Sequence, residues 1–95
     1  MSALTLLARG KPCFIRLPTI CNGNAETTVL AHYRLSGISG TGLKPPDIVA
    51  CPSCSDCHDA ADRRRYTDLD REYVRLAHAE GILRWLAWLA GEDHI

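Results

Sequence analysis

The sequence of 95 residues lacks a long hydrophobic run and has no excess of charge of either sign. No apolar stretch approaches the roughly 20 residues that a membrane-spanning helix requires, so we expect no membrane association. Lysine and arginine together number 11, as do aspartate and glutamate. This balance argues against the broad positive field of a typical nucleic-acid-binding domain, and it leaves only a local basic surface for such contacts.

The first residues, MSALTLLARGKPC, also lack the features of a secretory signal. Their short apolar run has no basic residues before it and no small-residue cleavage site after it. We therefore expect a reducing, cytoplasmic compartment, where disulfides rarely persist. The five cysteines then point to metal binding or redox chemistry in a single small domain whose core needs additional support.

Turn-forming residues dominate the first half of the chain, and two short apolar runs lie between the turns. These runs, CFIRL at 13–17 and TTVLAHYRL at 27–35, predict an antiparallel pair of strands. Pro45 and Pro46 exclude a helix and predict a short extended segment at 47–50. From Ser55, an N-cap residue followed by aspartates and then by arginines predicts a short helix.

A long helix is predicted in the C-terminal third. Thr67 and Asp70 form a variant of the capping box, and Gly91 closes the periodic pattern. Residues at three- and four-residue spacing predict the buried face of this helix, namely Tyr73, Leu76, Ala77, Leu83, Leu86 and Ala90. Trp85, Trp88 and Leu89 widen that face. We expect both tryptophans to lie in the core, and a homodimer contact through exposed indoles is the alternative.

The cysteines allow several kinds of site. CSDCH at 54–58 matches the string that attaches haem, but covalent haem would require export and a large open pocket. A thioredoxin-like pair would follow a strand in a βαβ unit, and five buried cysteines acting only as small apolar residues would be unusual. We favour a tetrahedral structural zinc site, and its expected ligands are Cys13, Cys21, Cys54 and Cys57. Cys51 and Cys54 share the C-x-x-C spacing, so spacing alone does not decide the register.

Two histidines lie where a second site could form. His32 falls near the end of the second predicted strand, where a histidine is more often structural, and His58 could itself be a zinc ligand. If four cysteines hold the zinc, His58 projects about 100° around the helix from Cys57 and can face His32. Two facing imidazoles suggest a catalytic metal. We expect His78 and His94 to be packing or solvent-exposed residues.

In combination, the motifs CNGN, LAH, GTGLKPPD and CSDCHD resemble the YbcO-like family of phage and prophage nucleases. The resemblance covers about residues 9–65. The family is assigned to the His-Me finger superfamily, also described as HNH-like or ββα-metal. The resemblance implies a small α+β domain over 1–95, in which a zinc-stabilised ββα-metal core at 9–65 precedes a long packing helix at 67–91.

The resemblance also implies residue roles. His32 would be the general base, Asp47 would take the place of an asparagine that orients the base, and His58 would hold Mg²⁺ or Mn²⁺. Many superfamily members have a metal-binding aspartate directly before the catalytic histidine, and here that residue is Ala31. The remaining ligands could come from Asp47, Asp59 or Asp62, or from water and the scissile phosphate. Phosphate contacts are expected from Arg34, Arg63, Arg64 and Arg65, although an arginine triplet is often only a solvated helix end.

The expected activity is metal-dependent hydrolysis of DNA in phage recombination or DNA processing inside a bacterial host cell, alone or beside phage recombination proteins. The chemistry suits these residue types, because an imidazole titrates near neutral pH and a divalent cation stabilises charge on phosphate. One alternative is a non-enzymatic zinc module that holds DNA or a phage protein. Another is a degenerate nuclease that retains only binding.

Overall fold

The computed structural model describes residues 3–38 and 44–95, and over these ranges it contains three α-helices, one 3₁₀ turn and a two-stranded sheet. The elements in chain order are α1 (Ala3–Ala8), the 3₁₀ turn (Ala25–Thr27), β1 (Val29–His32), β2 (Ala50–Ser53), α2 (Ser55–Ala61) and α3 (Arg71–Gly91). Residues 40–43 of the GTGLKPPD motif lie outside the described ranges. Within those ranges, no helix combines the length and hydrophobicity needed to cross a bilayer.

Strands β1 and β2 run antiparallel, and α2 begins two residues after β2 ends. In the register, Leu30 lies opposite Pro52 and His32 lies opposite Ala50. Helix α3 packs against both β2 and α2. The predicted α+β class is therefore confirmed, and the order of the elements around His32 is strand, strand, helix.

The prediction of a strand at 13–17 is wrong, because β1 pairs with 50–53 instead. Arg16 has φ of 57°, a left-handed conformation that interrupts an extended strand. Its backbone N–H turns back to donate to Cys13 Sγ at 3.4 Å. The N–H of Phe14, which donates to the carbonyl of Pro52 at 2.9 Å, joins this segment to the edge of β2. The turn that presents Cys13 thus overrides the strand preference of the neighbouring apolar residues.

The long helix begins later than Thr67. Helix α3 starts at Arg71, and the side chain of Asp70 caps it by accepting a hydrogen bond from the N–H of Glu72 at 2.8 Å. Thr67 instead accepts a hydrogen bond from the N–H of Leu69 in the preceding turn. Helix α1 was not predicted at all.

The buried face of α3 also differs from the prediction. Its buried residues are Val74, His78, Gly81, Trp85 and Leu89, whereas Tyr73, Leu76 and Leu83 are exposed. His78 tolerates burial because its Nε2 hydrogen-bonds the carbonyl of Ala31 at 2.9 Å. A Cβ at Gly81 would lie 2.8 Å from the carbonyl oxygen of Phe14, so the close approach of that segment requires glycine. Counting only apolar residues misses both positions.

The tryptophans occupy the core side of α3. Trp85 is fully buried and forms a T-shaped contact with Phe14, with ring centroids 5.4 Å apart. Trp88 is partly buried and stacks on Trp85 at 5.2 Å. Trp85 therefore lies in the core as predicted, and neither indole is the freely exposed ring that the dimer alternative requires.

Candidate functional site

Four cysteine sulfurs converge at the start of α2. The Sγ atoms of Cys13, Cys21, Cys54 and Cys57 all lie within 4.8 Å of one another, and Cys54 and Cys21 are 3.9 Å apart. Tetrahedral zinc with Zn–S bonds of about 2.3 Å requires sulfurs about 3.8 Å apart. The four side chains therefore form a potential metal site whose spacing and thiol chemistry fit zinc.

The local backbone fixes this cluster. Cys54 is the N-cap of α2, and its Sγ accepts a hydrogen bond from the N–H of Cys57 at 3.4 Å. The N–H of Leu17 donates to Cys57 Sγ at 3.4 Å, and thereby joins the 13–17 segment to α2. Such donors stabilise sulfur in its thiolate form. A hydrogen bond from the Cys57 thiol lowers the pKa of Cys13 to about 4, and the same bond, together with burial, raises the pKa of Cys57.

The fifth cysteine lies outside the cluster. Cys51 is on β2 opposite Ala31 and is fully buried. Burial raises its pKa to about 12, so the thiol remains neutral and packs as an apolar side chain. Of the two registers that the sequence left open, the structure favours Cys54 with Cys57, because Cys51 is absent from the convergent group.

His32 ends β1 and contacts Asp47 directly. The distance from His32 Nε2 to Asp47 Oδ1 is 2.7 Å, and about a fifth to a quarter of each side chain is exposed. The antiparallel register anchors the histidine, because the adjacent N–H of Tyr33 donates to the carbonyl of Val49 at 2.9 Å. The sheet and the short segment that enters β2 thus hold the imidazole and the carboxylate together.

His58 lies on α2 in a separate charged group. Its Nε2 is 3.2 Å from Asp62 Oδ2, one helical turn later. The guanidinium of Arg64 contacts His58 Nδ1 at 3.2 Å, Asp62 at 3.1 Å and Asp59 at 3.4 Å. A positive group therefore already sits among an imidazole and two carboxylates. No group of three or more metal-ligating residues within the described ranges includes His58.

A cleft of about 780 Å³ opens beside His32. Its walls are the end of β1, the end of α2, the connection that follows α2, and the first turns of α3. All four predicted phosphate contacts, Arg34, Arg63, Arg64 and Arg65, line it together with His32. His58 does not line the cleft itself, but it contacts Asp62 and Arg64, which do line it.

The back of the cleft is built on a buried histidine. His78 packs edge-on against the ring of Tyr33 at 5.1 Å and reaches the carbonyl of Ala31. Burial lowers the pKa of His78; the hydrogen bond to the Ala31 carbonyl and the charge of Asp62 oppose this shift, and His58 and Arg75 add to it. The residue is therefore a neutral packing group that fixes α3 against β1.

Several residues of the cleft were not predicted from the sequence, among them Tyr66, Arg71 and Arg75. Arg75 lies over the ring of Tyr33 at 4.6 Å and donates to the carbonyl of Arg34. Arg71 begins α3, where the helix dipole disfavours a cation. The sequence therefore contained one signal for Arg71: a cation at the start of a helix does not stabilise the helix, which suggests another role.

Comparisons with known proteins agree with one another. The model of the family described as "Putative nuclease YbcO" matches residues 2–94. The chain is 49% identical over 90 residues to "Putative nuclease YbcO" of Escherichia coli strain K12, and equally to the protein of that name from Enterobacteria phage 82; the match covers 94% of this chain and 93% of each relative. A solved structure, "Structure of a putative bacteriophage protein from Escherichia coli str. K-12 substr. MG1655", is 42% identical with a TM-score of 0.80, covering 94% of this chain and 98% of that one.

Proposed function

Because this chain belongs to the YbcO nuclease family, we propose that it is a metal-dependent DNA endonuclease of the His-Me finger type. The observation that carries the proposal is the 2.7 Å contact between His32 and Asp47 at an arginine-lined cleft. The strand, strand, helix order around His32 and His58 is the order expected of a ββα-metal core. The proposed setting is phage recombination or DNA processing in the cytoplasm of a bacterial host.

In this proposal His32 is the general base. Asp47 accepts a hydrogen bond from Nε2–H, which leaves Nδ1 unprotonated and able to take a proton from the attacking water. The carboxylate also stabilises the imidazolium that forms when the proton is transferred. Asp47 therefore serves as the residue that positions and supports the base.

The proposed cation site consists of His58 and Asp62. A ring nitrogen and a carboxylate oxygen 3.2 Å apart can share one cation, and Mg²⁺ commonly takes only one or two protein ligands. The position of Arg64 supports this choice, because its positively charged guanidinium already contacts both His58 and Asp62. Asp47 is engaged by His32, so Asp62 is the better substitute for the aspartate that Ala31 replaces. When bound, the cation would polarise the phosphoryl oxygen and stabilise the leaving oxygen.

The proposed role of zinc is structural. Four thiolates leave no open coordination position for substrate, and the cluster joins the 13–21 segment to the start of α2. Zinc affinity would then add to the folding stability of this small core. The same zinc site would also set the orientation of α2, and hence the orientation of His58 relative to His32.

Single-turnover cleavage of supercoiled plasmid tests the proposal. Zinc-loaded protein with Mg²⁺ or Mn²⁺ should nick the plasmid, and His32→Ala should be slower by about 10²- to 10⁴-fold, the usual contribution of a general base. The control is His94→Ala in the exposed C-terminal tail, which should retain the wild-type rate. Equal rates in wild type and His32→Ala would reject the assignment. DNA binding without any cleavage would favour the non-enzymatic module.

A further inference from the structure

The charges of this chain are segregated even though their sum is zero. Six of its 11 basic residues line the cleft, as against one of its 11 acidic residues, Asp62, and two further carboxylates, Asp59 and Asp56, pair with Arg64 and Arg65. Arg63 and Arg71 have no ion pair or hydrogen-bonding side chain as a partner among residues 3–38 and 44–95. The field at the cleft is therefore positive and suited to a phosphodiester backbone.

The inner surface of the cleft has a different chemistry. Ala60 and Val74 are buried, and Ala61 and Leu69 are partly buried, and all four line the cleft. A volume of about 780 Å³ lies within the range of about 300–1,000 Å³ typical of pockets that enclose small organic groups. Phosphates alone would leave this apolar surface without a partner.

An aromatic ring stands at the rim. Tyr66 is 86% exposed, and its hydroxyl donates to Asp68 Oδ1 at 2.8 Å, which restrains the side chain. In the part of the chain that the structure describes, no other ring or cation stacks on it. A large exposed aromatic residue beside arginines is the combination by which proteins stack the bases of single strands.

We propose that the cleft binds unpaired DNA, with a base stacked on Tyr66 above the apolar surface and the flanking phosphates on Arg63 and Arg71. Bases in a duplex are stacked on their neighbours, so only an unpaired or extruded base can offer its face to a protein ring. Single-stranded or branched DNA is then the substrate class. The position of the scissile phosphate near His32 rests on the proposed function, whereas the binding preference does not.

Fluorescence anisotropy with the His32→Ala variant tests the proposal. No divalent cation is added, and no chelator is used, so that the zinc site is preserved. The probe is a labelled oligothymidylate of about 12 nucleotides, within the known range of single-strand site sizes, compared with a duplex and an RNA strand of equal length. We expect the DNA strand to bind most tightly. Tyr66→Ala should weaken its binding by about 5- to 150-fold, the usual loss of one stacked base.

Two variants serve as controls. Tyr66→Phe keeps the ring and should retain the affinity, and Tyr73→Ala removes an exposed tyrosine of α3 that does not line the cleft and should change nothing. Equal affinity for duplex and single strand, tighter binding of RNA, or wild-type affinity in Tyr66→Ala would each overturn the proposal. Selective binding by a protein that never cleaves DNA would instead refute the nuclease function and leave this inference standing.

Discussion

Replacing Asp47 by alanine should slow DNA cleavage substantially while leaving DNA binding nearly unchanged. The carboxylate lies 2.7 Å from His32 Nε2, and both side chains are mostly shielded from solvent. Attraction between an imidazolium and a carboxylate at this range, with an effective dielectric constant near 20 and partial exposure, is worth about 2–4 kcal/mol. Asp47→Ala should therefore lower the single-turnover rate by about 30- to 1,000-fold.

Asp47→Asn separates the two contributions of this residue. An amide oxygen can still accept the Nε2–H hydrogen bond and hold the tautomer, but it carries no full charge. We expect a rate between those of wild type and Asp47→Ala. The assay is single-turnover cleavage of labelled DNA at saturating Mg²⁺, with zinc content and DNA affinity measured for each variant. Glu80→Gln, an exposed substitution on α3, is the control. Wild-type cleavage by Asp47→Ala would refute the role of the contact between His32 and Asp47.

Three further predictions concern the cluster, the cation site and the buried histidine. Cys21→Ser should lose zinc and melt at a lower temperature, whereas Cys51→Ala should keep its zinc because that thiol lies outside the cluster. Metal analysis after dialysis measures the zinc content of both variants. Arg64→Ala should raise the affinity for Mn²⁺, because it removes a competing positive charge. Titration calorimetry on zinc-loaded protein measures this affinity, and an unchanged or lower value would mean that Arg64 only supports the helix end. His78→Gln should reduce acid destabilisation. Burial lowers the pKa of His78, so the wild type loses stability as pH falls below about 6.5, by at most about 1.4 kcal/mol per pH unit from this group. Equal slopes of unfolding free energy against pH in the two proteins would contradict that attribution.

Turn, capping and cysteine-spacing signals, together with the family resemblance, were enough to predict the α+β class and the four-cysteine group. A helix start beside Cys54 and Cys57 favoured the register that the convergence of the four sulfurs also favours over Cys51. The strand at 13–17 was wrong because the chain must turn at Arg16 to present Cys13. That requirement comes from partners about 40 residues away, which local strand preference does not contain.

The buried face of α3 and the cleft were harder to predict for a related reason. His78 and Gly81 are buried because a carbonyl and a neighbouring backbone meet them, and apolar periodicity ignores both residue types. The spacing from His58 to Asp62 could have been recognised as one helical turn. The exposed ring of Tyr66, by contrast, gains significance only from the cleft that β1, α2, the connection after α2 and α3 form together.

Diffraction from crystals of the zinc-loaded protein soaked in Mn²⁺, recorded at the absorption edges of both metals, would locate the two ions separately. We expect a zinc peak among the four sulfurs and a manganese peak against His58 and Asp62, on the side that faces His32. Manganese bound elsewhere, with none at this pair, would contradict the assignment of the catalytic cation.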